Sequence, residues 1–340
     1  MAIGVARAWL LAGGVALGGV ALGGVSAARA ETITLYSAQH EQMVDQLAAG
    51  FTKATGIAVR IHSGEAPEIA SQLAQEAAAS PADVYFTENS PELVLLDGKG
   101  LLAPVAPATL AQVPAKFSAA TGHWVGVLAR ESVLAFNPAM VQPAALPASL
   151  MDLAKPAWKG RIAIAPADAD FLPLVNAVAV LKGRPAAMAW LRGLHDNAQI
   201  FDDDEAVATA VERGAVATGL VNSYYWARLR TEIGPTKTHS DIHHFTGGDV
   251  GGLIDVSGAA MLKSSAHPAA AQRFLAYLVS RPVQAMLAAG TVDFEYPLAI
   301  GVAPNGLLKP FSQLQPPAIS VTQLGDDSGS ARMLREAGLL

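Results

Sequence analysis

TITLYSAQHEQMVDQLAAGFTKATGIAVRI, residues 32–61, decides the fold. Its first six residues are a β-type run. From Glu41 to Thr55 the apolar side chains Met43, Val44, Leu47 and Phe51 recur at helical spacing, and Gly56 stops that helix. Residues 57–61, IAVRI, return to strand character. A strand, a helix and a second strand in so short a stretch is the unit from which parallel sheets are built.

The same alternation continues outward. Residues 68–79 read as helix, Pro81 breaks it, and residues 82–86 form a strand running into Thr-Glu-Asn-Ser-Pro-Glu, a helix-start cluster. Residues 124–136, WVGVLARESVLAF, are an extended stretch long enough to cross from one lobe to another. A new strand at 161–165 opens a fresh α/β series: a helix at 206–213 ended by Gly214, a strand at 215–221 and a helix at 224–230. Residues 253–262 read as a second crossing, followed by amphipathic helices at 267–280 and 282–289 assigned back to the first lobe. The expected fold is a two-lobed α/β protein, each lobe a mixed, mostly parallel sheet flanked by helices. The expected boundaries are a leader at 1–30, a first lobe at 31–131 plus 257–306, and a second at 132–256 plus 307–340. Two lobes joined by two crossings make a hinged clamp that closes on a ligand in the gap.

Composition narrows the function. The chain has 340 residues, more than one typical core, and with 51% hydrophobic and 15% charged residues it can bury two. Residues 1–30 carry Arg7, a run of Ala, Val, Leu and Gly, and Ala28-Arg29-Ala30, the small-residue pattern of an export signal, so Glu31 is the expected mature N-terminus. There is no cysteine, which removes thiol catalysis, thiolate metal sites, haem attachment and N-terminal lipidation. An exported chain without a lipid anchor is expected to diffuse in a Gram-negative periplasm. Without Arg7 and Arg29 the formal charge of -6 becomes about -8, which argues against nucleic acid or anionic membranes as partners.

In open parallel sheets the ligand crevice lies beyond the carboxyl ends of the strands. His40, Glu88 and the pair Tyr224-Tyr225 all stand at such strand-to-helix junctions. An imidazole, a carboxylate and two phenols suit a hard or borderline transition ion, ferric iron above all. A bound cation reverses the usual preference of a phenol for its proton, and two phenolates with one carboxylate would balance three positive charges. Each residue alone has an ordinary explanation: a polar strand end, a helix-start charge, aromatic packing beside Trp226. Their coincidence at three comparable junctions is what singles them out.

The segments LYSAQH, FTKATGIAV, SPADVYFTEN, WKGRI at 158–162, VNSYYW, VSGAAMLKSS and FEYPL occur in the order found in the periplasmic ferric-iron-binding proteins of bacterial iron-uptake ABC transporters, and the chain resembles that family over nearly all its mature length. The resemblance implies a transferrin-like clamp, Fe3+ as cargo, His40, Glu88, Tyr224 and Tyr225 as metal ligands, and an inner-membrane ABC permease as partner, with a monomeric carrier and no enzymatic turnover. One region departs from the pattern. Where relatives use a Ser/Gly-rich junction to hold a small synergistic anion, this chain has Pro166-Ala-Asp-Ala-Asp-Phe171, placing Asp168, Ala169 and Asp170 there, and Asp204 stands where relatives can use an amide. Asn222 keeps the pattern. Carboxylates repel anions, so phosphate is expected to be a poor co-ligand, and carbonate, water or an Asp side chain is left to complete the coordination. The alternative for Asp168 or Asp170 is a cap on the following helix. Arg130 resembles a basic residue near the cleft, able to pair with Glu or the anion, while its usual second basic partner is replaced by Ser132.

Other features are weaker. The run Asp202-Asp-Asp-Glu205 reads as a solvated helix cap. His239, His243 and His244 would be needed for a zinc-dependent hydrolase, but flanking glycines at 247–248 and 251–252 favour surface histidines on a mobile loop. A third reading keeps the fold and exchanges the cargo for an organic anion, a polyamine or another metal.

Overall fold

A computed structural model describes residues 1–2, 31–290 and 293–340; the expected leader lies almost entirely outside the described residues. No helix among them is long and apolar enough to cross a membrane.

Among the described residues eleven strands carry the architecture: β1 (Thr32–Ala38), β2 (Ala58–Ser63), β3 (Val84–Thr87), β4 (Leu102–Ala103), β5 (Val125–Phe136), β6 (Ile162–Ile164), β7 (Ala198–Ile200), β8 (Thr218–Asn222), β9 (Asp241–His243), β10 (Ile254–Leu262) and β11 (Tyr296–Pro297). In the first half β1 lies parallel between β2 and β3, and β10 runs antiparallel to β3, β4 and β5. In the second half β6 lies parallel between β7 and β8, while β8 and β9 pair antiparallel with β5. The strand order is β2-β1-β3-β10-β5-β8-β6-β7. β5 therefore belongs to both sheets, its early residues pairing with β10 and β11 and its late ones with β8 and β9.

Side-chain alternation along β5 shows how the second sheet is covered. Leu134 packs into a core with Ile162, Ile164, Leu174, Trp190 and Leu334, whereas Val133 and Ala135 point to the opposite core with Val207, Val211 and Val221. A sheet buried on both faces needs helices on both, as the sequence pattern demands. In the first half Phe51, Leu47, Val84, Phe86 and Phe274 belong to one large core. The helix Glu41–Thr55 ends as expected, with Gly56 in the left-handed region at φ 74° and its N–H returned to the Thr52 carbonyl. The strand expected at 215–221 begins only at Thr218, because Gly214 turns the chain at φ 70° directly after the helix Asp204–Glu212.

Candidate metal centre

Each junction delivers one side chain to the same place. His40 follows β1 and heads the helix Glu41–Thr55, and its ring makes no capping bond to that helix. Glu88 follows β3, its N–H held by the Ala38 carbonyl at 3.0 Å. Tyr224 and Tyr225 open the helix Ser223–Ile233 directly after β8. The Tyr224 hydroxyl donates to Glu88 Oε1 at 2.8 Å, and His40 Nε2 lies 3.4 Å from that same oxygen. The Tyr224 ring is buried and sits edge-on to the imidazole, with centroids 5.4 Å apart. Tyr225, half-buried, stacks on Tyr224 at 4.1 Å and carries the Arg228 guanidinium over its ring. A cavity of about 390 Å³ opens beside the group, lined by His40, Glu88 and Ala169 among others.

The departing loop joins this cluster instead of standing apart. Asp170 Oδ2 lies 3.0 Å from the same Tyr224 hydroxyl, whose single proton serves one of the two carboxylates at a time, and Asp170 Oδ1 forms an ion pair with Arg130 Nη2 at 3.1 Å. It makes no cap bond to the helix Phe171–Lys182, so capping does not account for it. Asp168 accepts the Asp170 and Asp204 N–H groups, both at 3.0 Å, and Asp204 accepts the Asn222 N–H at 3.2 Å. The acidic run is thus divided: exposed Asp203 caps its helix through the Ala206 N–H at 2.7 Å, while Asp204 is buried.

Arg130 is fully buried on β5 and is the electrostatic hub. It pairs with Asp255 at 3.0 Å and Glu295 at 3.2 Å as well as Asp170, and it donates to the Glu88 carbonyl and to Asn89 Oδ1. One guanidinium cannot neutralise this many carboxylates, and the surplus shows in the proton affinities. Burial and Asp170 push Glu88 up to about 7 despite Arg130 and His40. Burial and Asp293 push Glu295 up to about 8, and burial with Asp170 lifts Asp168 to about 6. For His40, burial disfavours the charge, but Asp293, Glu88 and Glu295 outweigh it and raise the imidazole to about 9. Burial, reinforced by Asp170 and Glu88, holds both phenols above their ordinary range. The cluster hoards protons that a multivalent cation could displace.

Three acids of this cluster, Asp255, Asp293 and Glu295, carry no signal in the sequence. Asp293 Oδ2 lies 3.4 Å from His40 Nδ1, and among the described residues His40, Asp293 and Glu295 form a group with metal-ligand spacing. The histidines weighed for zinc do not converge: His239 bonds Glu212 at 3.1 Å, His243 the Pro147 carbonyl at 3.1 Å, and His244 Glu131 at 2.8 Å. The last is largely buried, contrary to the expected loop-surface position, because Glu131 on β5 turns away from Arg130 and takes it as partner.

The profile of the bacterial extracellular solute-binding proteins matches residues 46–313. The Fe(3+)-binding periplasmic protein of Serratia marcescens is 39% identical over 315 residues, covering 93% of each chain, and the major ferric iron-binding protein of Neisseria meningitidis (strain Z2491) is 35% identical, covering 90% of this chain and 93% of the other. The crystal structure of iron-bound HitA from Pseudomonas aeruginosa superposes with a TM-score of 0.86 at 41% identity, covering 91% of this chain and all of that one. These matches and the double-sheet clamp agree: the chain belongs to the bacterial extracellular solute-binding proteins, alongside the periplasmic ferric-iron-binding proteins.

Proposed function

We propose that this protein captures ferric iron between its lobes and delivers it to an ABC permease, without chemical turnover. One observation carries the reading: a phenol from the second sheet and an imidazole from the first both approach a single carboxylate oxygen, Glu88 Oε1. His40, Glu88, Tyr224 and Tyr225 are the protein ligands in this reading, and the relatives' ferric iron-binding names support it. Iron supplies the positive charge that the surplus carboxylates lack and releases the phenolic protons.

The co-ligand is read as Asp170. Its carboxylate touches the Tyr224 hydroxyl while Arg130 steadies the other oxygen. With Asp168 beside it, a free carbonate is repelled, and phosphate more so, while burial holds Asp204 well above the ordinary carboxylate range so that it adds little to the repulsion. The lobes are taken as 31–131 plus 257–306 and 132–256 plus 307–340. The carrier acts in the periplasm as a monomer after removal of residues 1–30, so intact-mass measurement should give a chain starting at Glu31.

The test is a titration of purified apoprotein with chelated ferric iron. A visible phenolate-to-iron charge-transfer band should grow to one equivalent, and Tyr225→Phe should weaken it sharply. A wild type that stays colourless and unbound sinks the iron reading. Affinity unchanged by added bicarbonate supports Asp170 as co-ligand; a requirement for bicarbonate refutes it.

A further inference from the structure

Asp293 is the least expected neighbour of the centre. It is 7% exposed and lies just before β11, far from His40 in sequence. Its Oδ1 accepts the Glu295 N–H at 3.1 Å, which fixes the carboxylate and leaves Oδ2 facing His40 Nδ1 at 3.4 Å. The opposite ring nitrogen, Nε2, faces Glu88 Oε1. No capping bond holds the imidazole from its own helix. Glu295, the third member of the group, is engaged by Arg130, by Ser257 at 2.8 Å and by Gln39 at 3.1 Å, so it is not free to take the ring.

We infer that Asp293 is a positioning residue: it holds the His40 Nδ1–H, so that Nε2 is the nitrogen presented to the iron. This rests on the iron reading above. The physical content is a choice between two ring orientations. An imidazole without an anchor can turn either nitrogen to the metal and divides its neutral form between two tautomers. A carboxylate on Nδ1 selects one tautomer, fixes the ring plane and makes Nε2 the stronger donor. Asp293 stands on the Nδ1 side while Glu88 and Tyr224 stand on the Nε2 side, so Asp293 acts through the ring and does not ligate the metal.

The test is a double-mutant cycle read by competition of apoprotein with citrate for ferric iron. Asp293→Ala should weaken binding by about 10- to 100-fold, and Asp293→Asn, whose amide oxygen still accepts the Nδ1–H, by less. In a His40→Ala background the same Asp293 changes should alter affinity by less than about threefold. Equal losses in both backgrounds would show that Asp293 acts without His40, by direct ligation or by packing, and would overturn the inference; so would unchanged affinity in Asp293→Ala. A second readout needs no iron. In the apoprotein, nitrogen-15 spectra of the neutral His40 ring should show protonation at Nδ1 in the wild type and a mixture in Asp293→Ala. A mixed wild type refutes the inference even if iron binds; a colourless wild type with the Nδ1–H tautomer refutes the iron reading alone.

Discussion

Iron uptake should expel about three protons, and the count can be worked from the site. Near pH 7.5 His40, raised to about 9, holds the proton that Nε2 must give up, and Tyr224 and Tyr225, held above their ordinary range, keep theirs. Glu88, at about 7, is already mostly ionised. Three protons displaced make binding tighten about a thousandfold per pH unit, roughly 4 kcal/mol, around neutrality. The assay is a pH-stat titration in weak buffer, with iron delivered from a chelator whose own proton uptake is known. Tyr225→Phe removes one displaceable proton, so the release should fall to about two and the slope to about a hundredfold per pH unit. A wild type releasing one proton or none, or a Tyr225→Phe variant releasing as many as wild type, refutes the reasoning that both phenols are ionised by the metal.

The apoprotein should lose stability as pH rises. His40 is raised from 6.5 to about 9, so its contribution is complete below 6.5 and gone above about 9; Glu88 and Glu295, raised from 4.5 to about 7 and about 8, act in the same direction at lower pH. Calorimetry should therefore show the apo Tm falling from about pH 5 to about pH 9, and a Tm that climbs across that window is the contrary result. Arg130→Ala strands Asp170, Asp255 and Glu295 without their cation and should cost about 3–5 kcal/mol in denaturant unfolding; a loss below about 1 kcal/mol would mean that the acids are neutralised by protons alone. At Gly258, where β10 shifts register against β5, an added Cβ would meet Leu93 Cδ1 at 2.5 Å, so Gly258→Ala should lower stability by about 1–3 kcal/mol, and an unchanged midpoint would show that Leu93 yields freely.

The sequence made the alternation legible because each element announces itself locally. Helical spacing and Gly56 mark the first helix, and the two long extended runs were recognisable as β5 and β10. The junctions that carry the candidate site were legible for the same reason, since His40, Glu88 and Tyr224 each lie within two residues of a strand end. Asp255, Asp293 and Glu295 were not, because they reach the site from β10 and the approach to β11 through tertiary pairing with Arg130 and His40. Nothing in their local pattern separates them from surface acids. Asp204 carried two readings, a cleft position from the resemblance and part of a solvated cap from its acidic run; it is buried and accepts the Asn222 N–H, unlike its exposed neighbour Asp203.

The double membership of β5 limits how hybrids of this protein can be made. Arg130 and Ser132 stand two residues apart, the first paired across to Asp255 on β10 and the second to Asn222 on β8. A chimaera joined to a relative at the apparent boundary would cut a continuous hydrogen-bonded ribbon and mix two sets of partners on one strand. Exchanges should move residues 125–136 whole, together with the segments that pair with them, and a graft that splits the strand should cripple both halves at once.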